Sequence, residues 1–196
     1  MIAREEVLGR LESFRPEDAG ERESLERIRE LVRTAEDPFT RAVRDHVTAS
    51  AIVAGPDGGR FLLVHHRRLD RWLQPGGHVE PEDASVHATA LREAREETGV
   101  RDFESPAGAA VLDVDVHPIP ARAGRPEHVH FDLRHLLTTA QEDVSAAAPE
   151  EVRAARWFSL EEALAAGVDG SLARALRKAR RALESGSWRP ITGLRG

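Results

Sequence analysis

Along residues 2–36, apolar side chains recur every three or four positions and charged side chains fill the positions between them. This spacing is typical of amphipathic helices. The sequence RPEDAG interrupts it, which predicts a hairpin of two helices that ends before Pro38. The apolar stripe of these helices is too narrow to bury a core of its own. We therefore interpret residues 1–45 as a helical extension of a domain at residues 46–196.

A β pattern replaces the helical one in the next segment. VTASAIVA and FLLVHH are rich in β-branched and apolar residues, and the turn sequence GPDGG between them predicts a β-hairpin. The prolines and paired glycines of RWLQPGGHVEPED predict a loop. A helix from about Ser85 to Thr98 follows the loop. The middle of the chain is therefore predicted to run strand, loop, helix.

Two further strands are predicted downstream, AAVLDVDVHPIP and HVHFDLRHLLTT, with the loop ARAGRPE between them. The second strand alternates strictly between apolar and polar residues, so the two sets face opposite sides of a sheet. One side carries Val129, Phe131 and Leu133, and the other carries His128, His130, Asp132 and Arg134.

Two helices are predicted near the C-terminus. The first begins at Ser159, which together with Glu162 fits a capping box. The second runs from about Leu172 to Leu183, with Ser171 as its N-cap. Helices and strands are mixed along the whole chain, which predicts the α/β class.

Composition narrows the class of protein. With 196 residues, 40% of them hydrophobic and 32% charged, the chain suits one soluble globular domain. It has no cysteine, which excludes disulfides, thiolate metal sites and cysteine nucleophiles. The net charge of −6 disfavours a nucleic-acid partner. Apolar runs fall short of the roughly 20 residues of a membrane helix, and the N-terminus lacks a signal-peptide core, so we expect a cytoplasmic protein without membrane contact.

The helix that contains LREAREETGV concentrates negative charge. Glu93, Glu96 and Glu97 fall within one narrow arc of it, although like charges at this spacing destabilise a helix by about 0.2–0.5 kcal/mol per pair. A solvated acidic face is one explanation. The other is a divalent cation such as Mg²⁺, which takes oxygen ligands and shares them with phosphates. A Gly-Gly turn ahead of the helix, which adds a backbone carbonyl, favours the cation.

The same segment resembles the signature of the Nudix hydrolases, a glycine followed at a distance by R-E-x-x-E-E-x-G and an apolar residue. Two departures are present, since Gly77 and Arg92 are fifteen rather than fourteen positions apart, and Asp83 stands where the pattern has glutamate. The shorter aspartate is expected to weaken any bracing of the loop. The matching residues are Gly77, Arg92, Glu93, Glu96, Glu97, Gly99 and Val100.

The resemblance implies both a fold and a reaction. Nudix hydrolases are α/β/α sandwiches around a mixed sheet, and they hydrolyse a nucleoside diphosphate linked to another group with Mg²⁺ or Mn²⁺. Carried over by position, Glu93, Glu96 and Glu97 are expected to bind the metal together with the Gly77 carbonyl. Arg92 is expected to orient a neighbouring glutamate through a charge-assisted hydrogen bond.

The general base is left open between two regions. Glu96 or Glu97 on the helix is one choice. Glu150 or Glu151 is the other, because some relatives carry a catalytic or metal-binding glutamate at a similar distance before the segment RWFS. That distance slightly favours Glu151, whose alternative interpretation is a solvated loop carboxylate.

Substrate contacts are predicted on the polar side of the strand HVHFDLRH. His128, His130 and Arg134 are candidates for contacts with phosphate or base, and a hydrated strand face is the alternative. The adjacent pair His65 and His66 points to opposite sides of its strand and does not suggest a metal site.

The sequence is also compatible with other functions and partners. The main alternative is a Nudix-like module that binds a nucleotide without hydrolysing it, although such modules typically lose a signature glutamate. RNA decapping and a structural Ca²⁺ site are weaker options, since the chain is acidic and has no twelve-residue calcium loop. The partner is expected to be a small nucleotide of unspecified kind. The N-terminal helices are expected either to cover the substrate pocket or to form a homodimer contact.

Overall fold

The structure is a computed structural model that describes residues 2–105, 110–121 and 126–186. Part of the predicted loop ARAGRPE and the last ten residues of the predicted domain lie outside these ranges. None of the helices in the described ranges is long and apolar enough to cross a membrane. In chain order the elements are α1 (Arg4–Ser13), α2 (Ala19–Thr34), β1 (Asp45–Ala54), β2 (Arg60–His66), β3 (Arg71–Leu73), β4 (Gly76–His78), α3 (Val86–Thr98), β5 (Val111–Ile119), β6 (His128–Thr138), β7 (Val152–Ser159), α4 (Leu160–Ala165) and α5 (Gly170–Glu184).

The strands form one mixed sheet. Its main order is β3-β2-β1-β6-β5, with β4 paired to β1 and β7 paired to β2. Strands β1 and β6 are parallel over ten residue pairs, from Asp45–Val129 to Ala54–Thr138. The other pairs are antiparallel, including β1 with β2, which confirms the predicted β-hairpin.

Helices cover both faces of this sheet because the central strands bury apolar residues on each side. On β1, Val47 and Ala49 belong to the core shared with α3, whereas Ile52 and Ala54 belong to the core shared with α4 and α5. Strands buried on both faces are typical of layered α/β proteins. The predicted α/β/α sandwich around a mixed sheet is confirmed.

The N-terminal helices pack against each other and against the sheet. Leu11 of α1 and Ile28 of α2 are fully buried in the same apolar cluster as β1 and α3. The helix α2 begins at an aspartate N-cap, since the Asp18 side chain accepts a hydrogen bond from the Glu21 backbone. The predicted helical hairpin is therefore present, and its core is continuous with that of the sheet.

Three local predictions need correction. The predicted loop after β2 contains the short strands β3 and β4, and β7 was not predicted as a strand. These strands depend on pairing with distant segments rather than on a strong pattern of their own.

The predicted starts of the two C-terminal helices have different outcomes. The capping box at Ser159 and Glu162, which begins α4, is confirmed. Helix α5 begins two residues earlier than predicted, because Asp169 rather than Ser171 accepts the N-cap hydrogen bond from Leu172.

Candidate active site

Helix α3 positions the acidic residues and is held at both ends. The hydroxyl of Ser85 accepts a hydrogen bond from Ala88 N at 3.1 Å, which caps the N-terminus. Gly99 ends the helix with φ of 69°, a left-handed conformation that favours glycine. Buried Ala90 and Ala94 allow a close approach to the sheet. The carboxylates one turn apart therefore extend from a fixed helix.

The three glutamates of α3 lie in different environments. The Glu97 residue is 4% exposed, and its Oε2 accepts a hydrogen bond from Gly76 N at 3.0 Å. The Glu93 side chain is 13% exposed and the Glu96 side chain is 55% exposed. Two carboxylates are thus largely removed from water and one reaches it.

Two glycines of β4 allow this arrangement. A Cβ atom on Gly77 would lie 2.7–2.9 Å from the Glu93 carboxyl group, and one on Gly76 would lie 2.5–2.7 Å from Ser50. The contact at Gly76 involves the backbone of Ser50 and leaves no space for a side chain, whereas a side chain at position 77 would displace the Glu93 carboxyl group. The pair of glycines therefore lets β4 fit between β1 and α3 with the Gly77 backbone close to Glu93.

Arg92 connects the loop to the glutamates. Its guanidinium donates two hydrogen bonds to the Asp83 carboxylate, at 3.1 and 2.9 Å, and one to the His78 carbonyl at 2.8 Å. Another nitrogen lies 3.0 Å from both Glu93 Oε1 and Glu96 Oε2. The bidentate geometry fixes the planar group in orientation.

The expectation that Asp83 braces the loop weakly is wrong. Besides Arg92, its carboxylate accepts hydrogen bonds from Glu80 N at 3.0 Å and from the Thr89 hydroxyl at 2.9 Å. Burial favours the neutral acid, but these donors outweigh it and lower the pKa of Asp83. Arg92, Glu80 and Thr89 together hold Asp83 in place.

A second segment faces α3 across a cavity of about 340 Å³, and it carries Glu150 and Glu151. This segment is held against the end of the helix, since Ser145 N donates to the Thr98 carbonyl at 3.0 Å and Ala147 N donates to the Glu97 carbonyl at 3.2 Å. The Glu151 side chain is 55% exposed and lies 3.8 Å from Arg68. We call Gly77, Glu93, Glu96, Glu97 and Glu151 the carboxylate pocket.

Electrostatics in the carboxylate pocket favour a cation. Burial raises the pKa of Glu97 to about 8, and the charges of Glu93, Glu151 and Glu96 add to this, against the hydrogen bond from Gly76. Burial also raises the pKa of Glu93 to about 7, against the influence of Arg92. A metal ion would replace the protons that these carboxylates would otherwise retain at neutral pH.

The polar side of the sheet contains a group of histidines that we call the histidine cluster. His46 on β1 is directly opposite His130 on β6, which is opposite His117 on β5. Neighbouring rings are 5.0–5.7 Å apart. Burial, with the neighbouring rings, strongly lowers the pKa of His130. The members of the cluster are His46, His78, His117, His128 and His130.

Arg134 does not lie where a substrate contact requires. It is 2% exposed, and its guanidinium donates to Asp113 at 3.1 Å, Asp115 at 3.3 Å and Asp132 at 3.3 Å. A further hydrogen bond reaches the Ser171 hydroxyl at 2.6 Å. The assignment of Arg134 to substrate binding is therefore corrected, because its donors face buried protein groups. A hydrated strand face is also wrong for this part of β6.

The partners of Arg134 belong to a larger set that we call the ion network. Arg174 of α5 donates two hydrogen bonds to the Asp113 carboxylate, at 2.8 and 3.0 Å. Lys178 of α5 contacts Glu21 of α2 directly and lies 3.6 Å from Asp113. The members are Glu21, Asp113, Asp115, Asp132, Arg134, Arg174 and Lys178.

The structure thus separates the residues predicted for the site. It gathers Gly77, Arg92, the three helix glutamates and Glu151 around one cavity, places His128 and His130 in the histidine cluster, and buries Arg134. His46 and His78 were missed, although His46 alternates with Thr48 and Ser50 on β1 and so shares their face. His65 stacks edge-on against Trp72, and the His66 ring accepts hydrogen bonds from the backbone of the next turn.

One curated relative shares part of the sequence. An ADP-ribose pyrophosphatase of Mycobacterium tuberculosis is 35% identical over 85 residues, which are 40% of this chain and 39% of that protein. The match therefore spans about two fifths of the length of that relative.

Solved structures and a family profile extend the comparison. The MutT NUDIX hydrolase of Burkholderia pseudomallei has a TM-score of 0.53 at 24% identity, covering 69% of this chain and 98% of its own. An Ap4A hydrolase of C. elegans has a TM-score of 0.50 at 20% identity, covering 70% and 98%. These two likenesses concern the fold. The profile of the NUDIX domain matches residues 44–179, more than half of the chain. The chain therefore belongs to the Nudix hydrolase superfamily.

Proposed function

We propose that this protein is a metal-dependent hydrolase of the diphosphate bond in a nucleoside diphosphate linked to another group. One observation carries the proposal: the carboxylates of Glu93, Glu96 and Glu97 converge with Glu151 on one cavity beside the backbone of Gly77. Arg92 and Arg41 are the cationic residues that line the same cavity. Because carboxylates outnumber cationic side chains in this cavity, a bound cation would reduce the repulsion between them.

The donor set fits a hard divalent cation. Carboxylates and a backbone carbonyl supply oxygen only, which suits Mg²⁺ and also Mn²⁺. Glu93, Glu96 and Glu97 would hold the ion together with the Gly77 carbonyl. When bound, such an ion neutralises phosphate charge and lowers the pKa of water.

The remaining pocket residues have orienting and proton-transfer roles in this proposal. Arg92 keeps Glu93 and Glu96 in place while its other donors hold the loop at Asp83 and His78. Glu151 is the proposed general base, because it is partly exposed on the wall that faces α3. It would accept the proton of the attacking water as that water approaches the phosphorus atom.

The oxygen-lined pocket suits a metal-bound diphosphate. The relative that shares part of the sequence indicates which diphosphate compound to test first. ADP-ribose is the first compound to test, because the relative's name specifies it, and dinucleoside polyphosphates and nucleotide sugars come next. His128 and His130 stay predicted substrate contacts. A homodimer, the cytoplasmic location and the division at residue 45 stay predictions from the sequence.

The test is the chromatographic detection of the two cleavage products, a nucleoside phosphate and a second phosphate ester, formed from a panel of nucleoside diphosphate derivatives with Mg²⁺, with Mn²⁺ and with EDTA. Wild type is compared with Glu97→Gln, which keeps the shape but removes one predicted ligand. Turnover is expected to require metal and to fall by at least about 10²-fold in the variant. The matched control is Glu161→Gln, a 77% exposed glutamate side chain on α4, which should keep full activity.

A nucleotide-binding module without catalysis is the second candidate. It predicts no turnover on any panel member, while a nucleotide still raises the melting temperature. Flat activity in wild type with every metal and substrate of the panel would overturn the hydrolase proposal. The intact set of signature glutamates favours catalysis.

A further inference from the structure

We propose that His46, His78 and His130 form a second metal site, which takes a transition-metal ion such as Zn²⁺ or Co²⁺ and differs in its donor atoms from the carboxylate pocket, whose cavity His78 also lines. The proposal does not depend on the hydrolase function. It rests on the placement of three imidazole rings by three strands of the sheet.

The sheet register brings these rings together. His46 and His130 are directly paired between the parallel strands β1 and β6. His78 on β4 is paired with Thr48, two residues along β1 from His46, so it lies on the same face. The three ring centroids are 5.0–5.2 Å apart. Rigid paired strands, rather than flexible loops, therefore fix the positions of the ligands.

The distances between ligand atoms are close to those that a metal requires. One nitrogen from each of the three rings lies within 4.8 Å of the others. Zinc–nitrogen bonds of about 2.0–2.1 Å in a tetrahedral site separate ligand atoms by about 3.3–3.4 Å. Rotations of the side chains that move each nitrogen by about an ångström would bring the three ligand atoms to this spacing. Three histidines leave one coordination position open.

Hydrogen bonds around the cluster fix the tautomers. A carbonyl oxygen only accepts, so the 3.2 Å contact between His46 Nδ1 and the Val43 carbonyl places a proton on Nδ1. The lone pair of His46 is then on Nε2. This is the arrangement of metal-binding histidines, whose second nitrogen donates to a backbone carbonyl or carboxylate.

His128 fixes His130 in the same way. His128 Nδ1 lies 3.2 Å from the Pro126 carbonyl and donates to it, so in the neutral ring His128 Nε2 is an acceptor. His130 Nε2 lies 3.2 Å from that acceptor and therefore carries a proton. The lone pair of His130 is then on Nδ1. His128 is thus a positioning residue for His130 rather than a fourth ligand.

The surroundings admit a cation. A cavity of about 350 Å³ adjoins His46 and His128, which provides access from the surface. Two arginines line it, but Arg41 lies 3.6 Å from Glu80 and Arg44 lies 3.8 Å from Asp45, which offsets their charge. Imidazole binds a metal through a ring nitrogen that carries no proton.

The two sites differ in the metals they prefer. Imidazole nitrogen suits zinc, cobalt, nickel and copper ions, whereas carboxylate and carbonyl oxygens suit Mg²⁺. A large excess of Mg²⁺ should therefore occupy the carboxylate pocket and leave the histidines available. This difference allows the sites to be measured separately.

The experiment is a titration of the full chain with Co²⁺ in excess Mg²⁺, followed by visible absorption and calorimetry. One equivalent is expected to bind and to be displaced by Zn²⁺. His130→Gln and His78→Gln should abolish the saturable absorption. His128→Phe should weaken binding by about 10–100-fold, as removal of an outer partner does. The matched control is His65→Gln, a histidine on β2 outside the cluster.

Two results would overturn the proposal. One is the absence of saturable Co²⁺ binding by wild type. The other is binding that survives His130→Gln and His78→Gln but disappears in Glu97→Gln, which would assign the ion to the carboxylate pocket. Melting temperatures without metal identify any variant that fails to fold, and His78, which is partly exposed, tolerates replacement more readily than the more enclosed His46. Because the experiment measures metal binding, its outcome does not depend on whether the protein hydrolyses a nucleotide.

Discussion

The carboxylate pocket and the ion network both gather acidic side chains, but they treat the charge differently. In the ion network, Asp113 is fully buried and lies within 3.6 Å of three cationic side chains. In the carboxylate pocket, a single guanidinium contacts Glu93 and Glu96, and Glu97 has only a backbone N–H as its hydrogen-bond donor in the described structure. The buried charge of the ion network is paired, whereas the charge that we propose for metal binding is under-compensated.

The energetic consequence is opposite in the two regions. Removing one partner from a buried pair leaves an unpaired charge in a poorly solvated place. Removing one of several repelling carboxylates relieves repulsion when no cation is bound. Substitutions that neutralise a single charge should therefore destabilise the ion network and stabilise the metal-free carboxylate pocket.

The largest effect is expected for Lys178→Met. This change leaves Glu21 and Asp113 buried with less cationic charge, and should lower the free energy of unfolding by about 3–5 kcal/mol. Thermal and denaturant unfolding of the two proteins measure it. The double variant Glu21→Gln/Lys178→Met removes both charges and should recover part of the loss. Equal stability of the single variant and wild type would mean that the network contributes little.

A pH effect of intermediate size is expected in the metal-free protein. The folded pKa values of Glu97 and Glu93, about 8 and about 7, lie above the ordinary value of 4.5. The folded state therefore keeps protons that the unfolded chain has lost. Their contribution is fully present below pH 4.5 and is lost as the pH rises through the folded values. These two groups should lower the free energy of unfolding by roughly 1–3 kcal/mol between about pH 5 and pH 8.5. Partly buried His66, His87 and His130, whose pKa values are lowered, act in the opposite sense below about pH 6.5, so the effect is measured as the difference from Glu97→Gln.

Glu97→Gln and Mg²⁺ are the two controls for this pH effect. The variant should flatten the dependence and should melt no lower than wild type at pH 8 without metal, even though its turnover is lost. Mg²⁺ should stabilise wild type most at high pH, where the carboxylates are ionised. A stability difference between wild type and Glu97→Gln that stays constant between pH 5 and 8 would contradict the raised pKa of Glu97.

The smallest effect is expected for Arg153→Gln. Arg153 lies 2.8 Å from Asp70, a shorter distance than several contacts in the ion network, but both side chains are about half exposed or more. Solvent screening limits such a pair to less than about 1 kcal/mol. Denaturant unfolding should barely distinguish this variant from wild type. A loss as large as that of Lys178→Met would show that contact distance, rather than burial, decides the energy.

The carboxylate pocket could largely be predicted from the sequence because its parts are local. Gly77, Arg92 and the three helix glutamates lie within one strand–loop–helix unit, and the helix period alone places three carboxylates on one face. Glu151 is the member that a distant segment supplies. The helical period does not predict how deeply each of the three helix carboxylates is buried. The difference between Glu97, almost covered, and Glu96, half exposed, depends on how β4 fits beneath α3.

The ion network and the histidine cluster could not be predicted because their contacts join distant segments. Lys178 and Glu21 are 157 positions apart, and no sequence period links them. Arg134 was assigned to a polar face correctly, but its environment depends on the pairing of β6 with β5. His46 and His78 likewise meet His130 only once the strand order is known.

The place of Lys178 has a practical consequence for labelling this protein. It is the single lysine of the chain and is 8% exposed, so the native protein offers amine-reactive reagents little besides its N-terminal amino group. Acylation at Lys178 would then occur mainly when α5 separates from α2. The acylation rate, measured by mass spectrometry, would report how often the contact between α2 and α5 opens.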